Sequence, residues 1–243
     1  MTIHSIQYRE TRARLSCHRQ YLDQAWETLK RCHKDLRAYR ERDRAFANSF
    51  NPVDCFPGAP FIARHMAAAA RRAGTGPMAA VAGAIGMAVV RALVRSGARH
   101  VIFENGGDIT MFLERPVTIG IYTGPGGPGD LGVRVEALAE ITACCTSSGT
   151  VGHSFSFGRG DAAVVLAGDA ALADATATSL GNRLRRDGLR SLTAALGNTP
   201  RKGIHAMLAV MKGCVAGIGD PSPWVKTAGF TLPEECEVAR ETA

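Results

Sequence analysis

Apolar and polar positions alternate in two short stretches near the start of the chain, residues 5–9 and 13–17, and this period of two predicts a hairpin of strands. From about Gln20 the period changes. Tyr21, Leu22, Ala25, Trp26, Leu29, Cys32, Leu36 and Tyr39 recur mostly at three and four residues, which predicts one long amphipathic helix over 20–47, closed by Asn51-Pro52. Its aromatic stripe reads as core packing. An Ala-rich helix follows over 61–72, with Pro60 at its first turn. Thr75 or Gly76 then caps, and Pro77 opens, a helix running to about Ser96. Residues 100–103, 111–113, 117–122 and 140–146 read as strands, with Cys144 and Cys145 on opposite faces of the last. The apolar run 162–167, the turn Gly168-Asp169 and the Ala-rich segment 170–182 read as strand, turn and helix, with Asp169 as the cap. A short helix over 187–196 precedes a hairpin, 205–211 and 214–218, turning at Lys212-Gly213. From Pro221 the chain becomes polar and acidic, and a loosely held tail is expected.

Strands in runs, separated by helices and joined by tight turns, imply an α+β fold of mixed or antiparallel sheets packed with helices. At 243 residues with no long polar linker, the expectation is a single domain, 1–243, in which 1–50 form an N-terminal hairpin and long helix. No run of eighteen consecutive apolar residues exists, and residues 1–10 lack the apolar core of a signal peptide, so a cytoplasmic protein with no membrane partner is expected. Seven scattered cysteines, an odd number, suit reduced thiols better than a disulfide framework. The formal net charge of +7 is concentrated in the first forty-five residues, where arginines and lysines alternate with acids on one predicted helix. A solvated helix face explains that pattern better than a phosphate track, so no nucleic-acid partner is expected, although small anions would be attracted.

Several segments offer chemistry. The N-H groups at the start of the helix opened by Pro77 could hold a phosphate, and Ala79, Ala80, Ala82, Gly83 and Gly86 permit close approach by a ligand or by a neighbouring element. Glu104-Asn105-Gly106-Gly107-Asp108 is a tight turn after a strand, where backbone can meet a ligand. Ser147, Ser148, Gly149 and His153 lie in a polar loop able to bind a phosphate or polarise a hydroxyl. Asp174 and Thr178 stand four apart and so share one helix face, where both offer oxygen to a hard cation or simply meet water. Other readings fail on spacing. Gly124 to Gly129 has dinucleotide-like glycines but prolines and no following helix, the chain has no Walker Gly-Lys-Ser/Thr, and Cys17-His18 with Cys32-His33 lacks the spacers of a zinc quartet.

Gly83-x-x-Gly86, Asn105-x-Gly107-Asp108, Thr146-Ser147-Ser148-Gly149 before His153, and Ala173-Asp174-Ala175-x-Ala177-Thr178 occur in an order that resembles the ApbE-like superfamily of flavin transferases, in a shorter branch. That family takes FAD and Mg²⁺ and transfers FMN to a threonine hydroxyl of a target protein. The resemblance implies an ApbE-like (T-fold-like) fold. It also implies Asp174 and Thr178 as Mg²⁺ ligands with a backbone carbonyl near Ala82. Gly83, Asn105, Gly106, Gly107 and Asp108 would lie along the flavin nucleotide, Ser148 and Gly149 near its phosphates, and His153 would be the catalytic base. One departure stands out: the family's Asp-Pro-x-Thr-Gly after the histidine is replaced by Ser154-Phe155-Ser156-Phe157-Gly158. Three functions therefore remain open. They are Mg²⁺-dependent FAD binding with transfer of FMN or a nucleotidyl group to a hydroxyl acceptor, non-catalytic binding of a flavin or other phosphorylated ligand, and an enzyme that reuses the pocket for a different ligand. A protein acceptor is implied by the first, and the small-residue helices would allow tight packing in a homo-oligomer.

Overall fold

Strands β1 (Thr2–Tyr8) and β2 (Thr11–Cys17) form the expected antiparallel hairpin. The computed structural model describes residues 2–124, 128–149, 158–227 and 238–239. After one 3₁₀ turn the chain enters α1 (Leu22–Arg42), whose apolar stripe is buried as its period requires. The predicted single helix over 20–47 is in fact two. The backbone leaves the helical region at Asp43, whose carboxylate accepts the Phe46 N-H at 2.9 Å and so caps α2 (Arg44–Asn48). The Tyr39 hydroxyl donates to the same carboxylate at 3.0 Å, which pins the break.

Helix α3 (Phe61–Ala73) ends on Gly74, whose φ of 73° is the left-handed cap that glycine adopts without strain. Pro77–Ala80 is a 3₁₀ turn, and α4 (Val81–Arg95) follows after a bend at Ala80. The predicted helix from Pro77 therefore starts with a kink, and its first regular N-H groups belong to residues after Ala80. By length and composition Pro77–Arg95 could cross a membrane, although 56% of its most apolar window is buried inside the fold. It reaches that length only by including Arg91 and Arg95, and its buried side chains serve the core.

Strands β3 (Val101–Asn105) and β4 (Asp108–Phe112) are joined by Gly106-Gly107. Their φ values of 64° and 101° make a two-residue hairpin turn that bulkier residues resist. Next come β5 (Val117–Gly120), β6 (Leu131–Val135), β7 (Thr142–Ser147) and β8 (Ala162–Ala167). Helices α5 (Ala170–Gly181) and α6 (Leu189–Gly197) precede β9 (Ile204–Met211) and β10 (Cys214–Gly219), which are joined at Lys212-Gly213 as predicted. Two described stretches of the tail pair with sheet edges. Strand β11 (Trp224–Lys226) pairs with β6, and β12 (Val238–Ala239) pairs parallel to β1, because backbone hydrogen bonds at a sheet edge do not depend on apolar side chains.

The large sheet runs β10-β9-β8-β7-β4-β3-β2-β1-β12, antiparallel except at β1 with β12, and the small one runs β11-β6-β5. Alternation in β7 sends Cys145 toward the helices with Val165 and Met207, and Cys144 toward the small sheet with Val164 and Leu208. Helix α5 lies against β7 and β8 and is buried almost all round, so its alanines are what close packing on every side demands.

Candidate functional site

The site forms where α4 begins, where α5 passes it, and where the β3–β4 turn reaches the end of β7. Gly83 lies so close to α5 that a Cβ there would collide with the Ala170 carbonyl oxygen and approach Asp174 Cβ to 2.9 Å. That approach lets Asp174 Oδ2 accept the Gly83 N-H at 2.9 Å, with the Ala82 N-H directed at the same carboxylate. A carboxylate at a helix N-terminus satisfies N-H groups that have no partner within the helix and meets the positive end of its dipole. Two N-H groups at the start of α4, those of Ala82 and Gly83, are thus engaged by Asp174.

Asp108 opens β4, beside the end of β7. The pairing Ile109 to Cys144, extended by one residue, sets Asp108 opposite Cys145. Asp108 interacts with the Thr146 N-H and the Cys145 thiol, while its Oδ1 is closed off from solvent without a hydrogen-bond partner among the described residues. Burial pushes the Asp108 carboxyl up to about 7 against those two interactions. Burial, and then the neighbouring Asp108, raise Asp174 well above the usual carboxylate range despite the Gly83 and Ala82 N-H groups. The Cys145 thiol is driven well above its ordinary value by burial first and by both carboxylates after it, which makes it a poor nucleophile. Two carboxylates and a thiol thus share one poorly solvated volume.

The other predicted positions fall around this pair to differing degrees. Asn105 ends β3 and pairs with Asp108 across the turn, and Gly106 is the exposed tip. Gly107 brings the turn beside Thr146, with an added Cβ 3.9 Å from the Thr146 carbonyl oxygen. Thr178 lies one helical turn beyond Asp174 on α5 and is half-buried. Ser148 follows β7, and Gly149 donates its N-H to the Gly160 carbonyl at 2.9 Å. A Cβ on Gly149 would collide with Gly158, so backbone crowding accounts for this glycine and its N-H is committed to the protein. His153 lies outside the described residues.

At two of the predicted positions the structure shows a contact within the protein: Gly83 meets α5 closely enough to require glycine, and Ala82 directs its N-H at Asp174. The sequence also gave no sign that Asp108 and Asp174, sixty-six residues apart, would be neighbours, or that Cys145 would lie beneath them. The β4–β7 register and the close α4–α5 crossing together bring them there.

The architecture is that of the ApbE flavin transferases. The chain superposes on the flavin transferase ApbE from Vibrio cholerae with a TM-score of 0.54 at 12% identity, covering 91% of this chain and 97% of that one. For the apo Pseudomonas stutzeri flavinyl transferase ApbE the TM-score is 0.56 at 15% identity, covering 93% and 95%. The chain belongs to the family described as AbpE bacteria, whose model matches residues 5–216. It is similar to the UPF0280 protein of Methanocella arvoryzae, 43% identical over 178 residues with 73% of each chain covered. It is also similar to that of Methanosphaerula palustris, 37% identical over 222 residues with 90% of this chain and 92% of the relative covered.

Proposed function

We propose that this protein binds FAD with Mg²⁺ and transfers FMN, or a nucleotidyl group, to a hydroxyl acceptor. The observation that carries the reading is the pair Asp108 and Asp174, two carboxylates in one poorly solvated volume, with Asp108 Oδ1 unpartnered among the described residues. Two buried negative charges without a cation are costly, so the volume is built to receive positive charge. Among the described residues no group of three or more His, Cys, Asp or Glu is arranged to hold a metal ion by itself. Two carboxylates with the Thr178 hydroxyl nearby are a sparse, all-oxygen set, which suits Mg²⁺ because that ion completes its shell with water and substrate phosphate.

In this reading Asp174 and Thr178, with Asp108 beside them, would hold the ion, which when bound neutralises charge on pyrophosphate oxygens. Asn105, Gly106 and Gly107 would border the nucleotide, and Ser148 its phosphates. Asp174, anchored by the Gly83 and Ala82 N-H groups, keeps one oxygen oriented, so the ligand face needs little reorganisation. His153 would take the proton from the attacking hydroxyl. Cys145 and the α5 alanines keep water from beneath the carboxylates.

The test is to add FAD to the purified protein with and without Mg²⁺, measuring bound flavin and released FMN or AMP. Mg²⁺-dependent binding and release are expected, with both lost in Asp174→Ala. Absence of flavin binding under both conditions would sink the proposal. The replacement of Asp-Pro-x-Thr-Gly after His153 favours a second reading, a non-catalytic binder, which predicts bound flavin with neither product released.

A further inference from the structure

A second candidate site, independent of the flavin reading, lies on the outer side of the helical layer. Helices α1, α3 and α4 do not close on one another there; they leave a cavity of about 410 Å³. The sequence explains the gap. Ala84, Ala88 and Ala92 recur every four residues on one face of α4, and their methyl groups leave the space beside that face open. Phe61 and Ile62 of α3 complete an apolar wall, with the Phe61 ring against His65 at 5.8 Å between centroids. A volume of this size is within the range of small-molecule sites.

Its charge is one-sided. Arg31 from α1 and Arg91 and Arg95 from α4 line the cavity, against the single carboxylate of Asp35. Among the described residues none of the three arginines forms an ion pair. His65, another polar group in the wall beside Thr28, is engaged through Nε2 with both Asp169 oxygens at 3.0 Å. Arg91 and Arg95 are one helical turn apart, a like-charge spacing that costs stability unless an anion lies between them. Guanidinium groups on the rim and an apolar wall inside are complementary to a molecule with an acid group at one end and a hydrophobic body at the other.

We propose that the α1–α3–α4 cavity binds a small organic anion with an apolar body, its acid group held by Arg31, Arg91 and Arg95 and its body lying on Ala84, Ala88 and Phe61. The probe is 1-naphthyl phosphate, titrated calorimetrically into the full chain, with 1-naphthol as the uncharged comparison. Saturable binding is expected, weaker for the naphthol. The double variant Arg91→Gln/Arg95→Gln should weaken phosphate binding by about tenfold or more, since each charged hydrogen bond lost is of that order. Ala88→Leu should abolish binding of both probes by filling the cavity, without lowering the melting temperature. The proposal is overturned if no saturable binding appears at millimolar probe. It is equally overturned if the double variant binds as tightly as the parent, which would mean that the arginines serve only the α4 C-terminal dipole.

Discussion

Gly83→Ala separates a packing role from a ligand-facing one by the sign of its effect on stability. Gly83 is helical, and on an open helix face alanine would stabilise by about 1 kcal/mol through its better propensity. Here the new methyl group would strike the Ala170 carbonyl oxygen and approach Asp174 Cβ to 2.9 Å, both belonging to α5. Backbone cannot rotate away as a side-chain tip can, so α4 and α5 must move apart, at a cost of about 3 kcal/mol. The net expectation is a loss of about 2 kcal/mol, or about 4–8 °C in melting temperature for a chain of this length. Gly197→Ala, in α6 with nothing within 4 Å of its added Cβ, should be neutral or slightly stabilising. Both variants are to be melted by circular dichroism without flavin or metal. If Gly83→Ala matches or exceeds the parent, the close α4–α5 contact is not what requires glycine.

Asp108 titrates above its ordinary value, so its folded form holds a proton that the unfolded chain has released. Stability should fall as pH rises between about 4 and about 7. At pH 8 in chelator, Asp108→Asn should therefore have a higher urea midpoint than the parent, and Mg²⁺ should stabilise only the parent; a lower midpoint for the variant would contradict the buried-charge account. His33 is shifted the other way, downward by burial, with Glu10 opposing and its Nε2 2.8 Å from the Thr11 hydroxyl. Its contribution should be intact above about pH 6.5 and lost as pH falls, so His33→Gln should show a smaller drop in melting temperature from pH 7.5 to 5.5, and an equal drop would assign the loss elsewhere. Asp43→Ala removes the α2 cap and the Tyr39 partner together and should cost about 2 kcal/mol in chemical unfolding. A change within error there would show that the α1–α2 break is held by packing alone.

Much of the architecture was legible in local pattern. The opening hairpin, the helix at Phe61, the strand-turn-helix capped by Asp169 and the Lys212-Gly213 hairpin all follow from periodicity, capping and turn chemistry, which act over a few residues. The break at Asp43 was not legible, because the apolar stripe runs on from Tyr39 to Phe46 across it, and Asp43 stops the helix by turning its carboxylate onto Phe46 and Tyr39. The edge strands β11 and β12 escaped for a related reason: their pairing is a backbone event in a polar segment.

At the site, the sequence by itself determined that Asp174 and Thr178 share a helix face and that Gly106-Gly107 turn sharply before Asp108, since both follow from the geometry of a single element. Tertiary structure decided what those residues do to one another. The β4–β7 register carries Asp108 to Cys145, and the close α4–α5 crossing at Gly83 carries Asp174 to two helix N-H groups. That crossing leaves Asp108 and Asp174 in one volume. The charge problem that this creates depends on distance and burial between segments far apart in the chain, and no local pattern encodes either quantity.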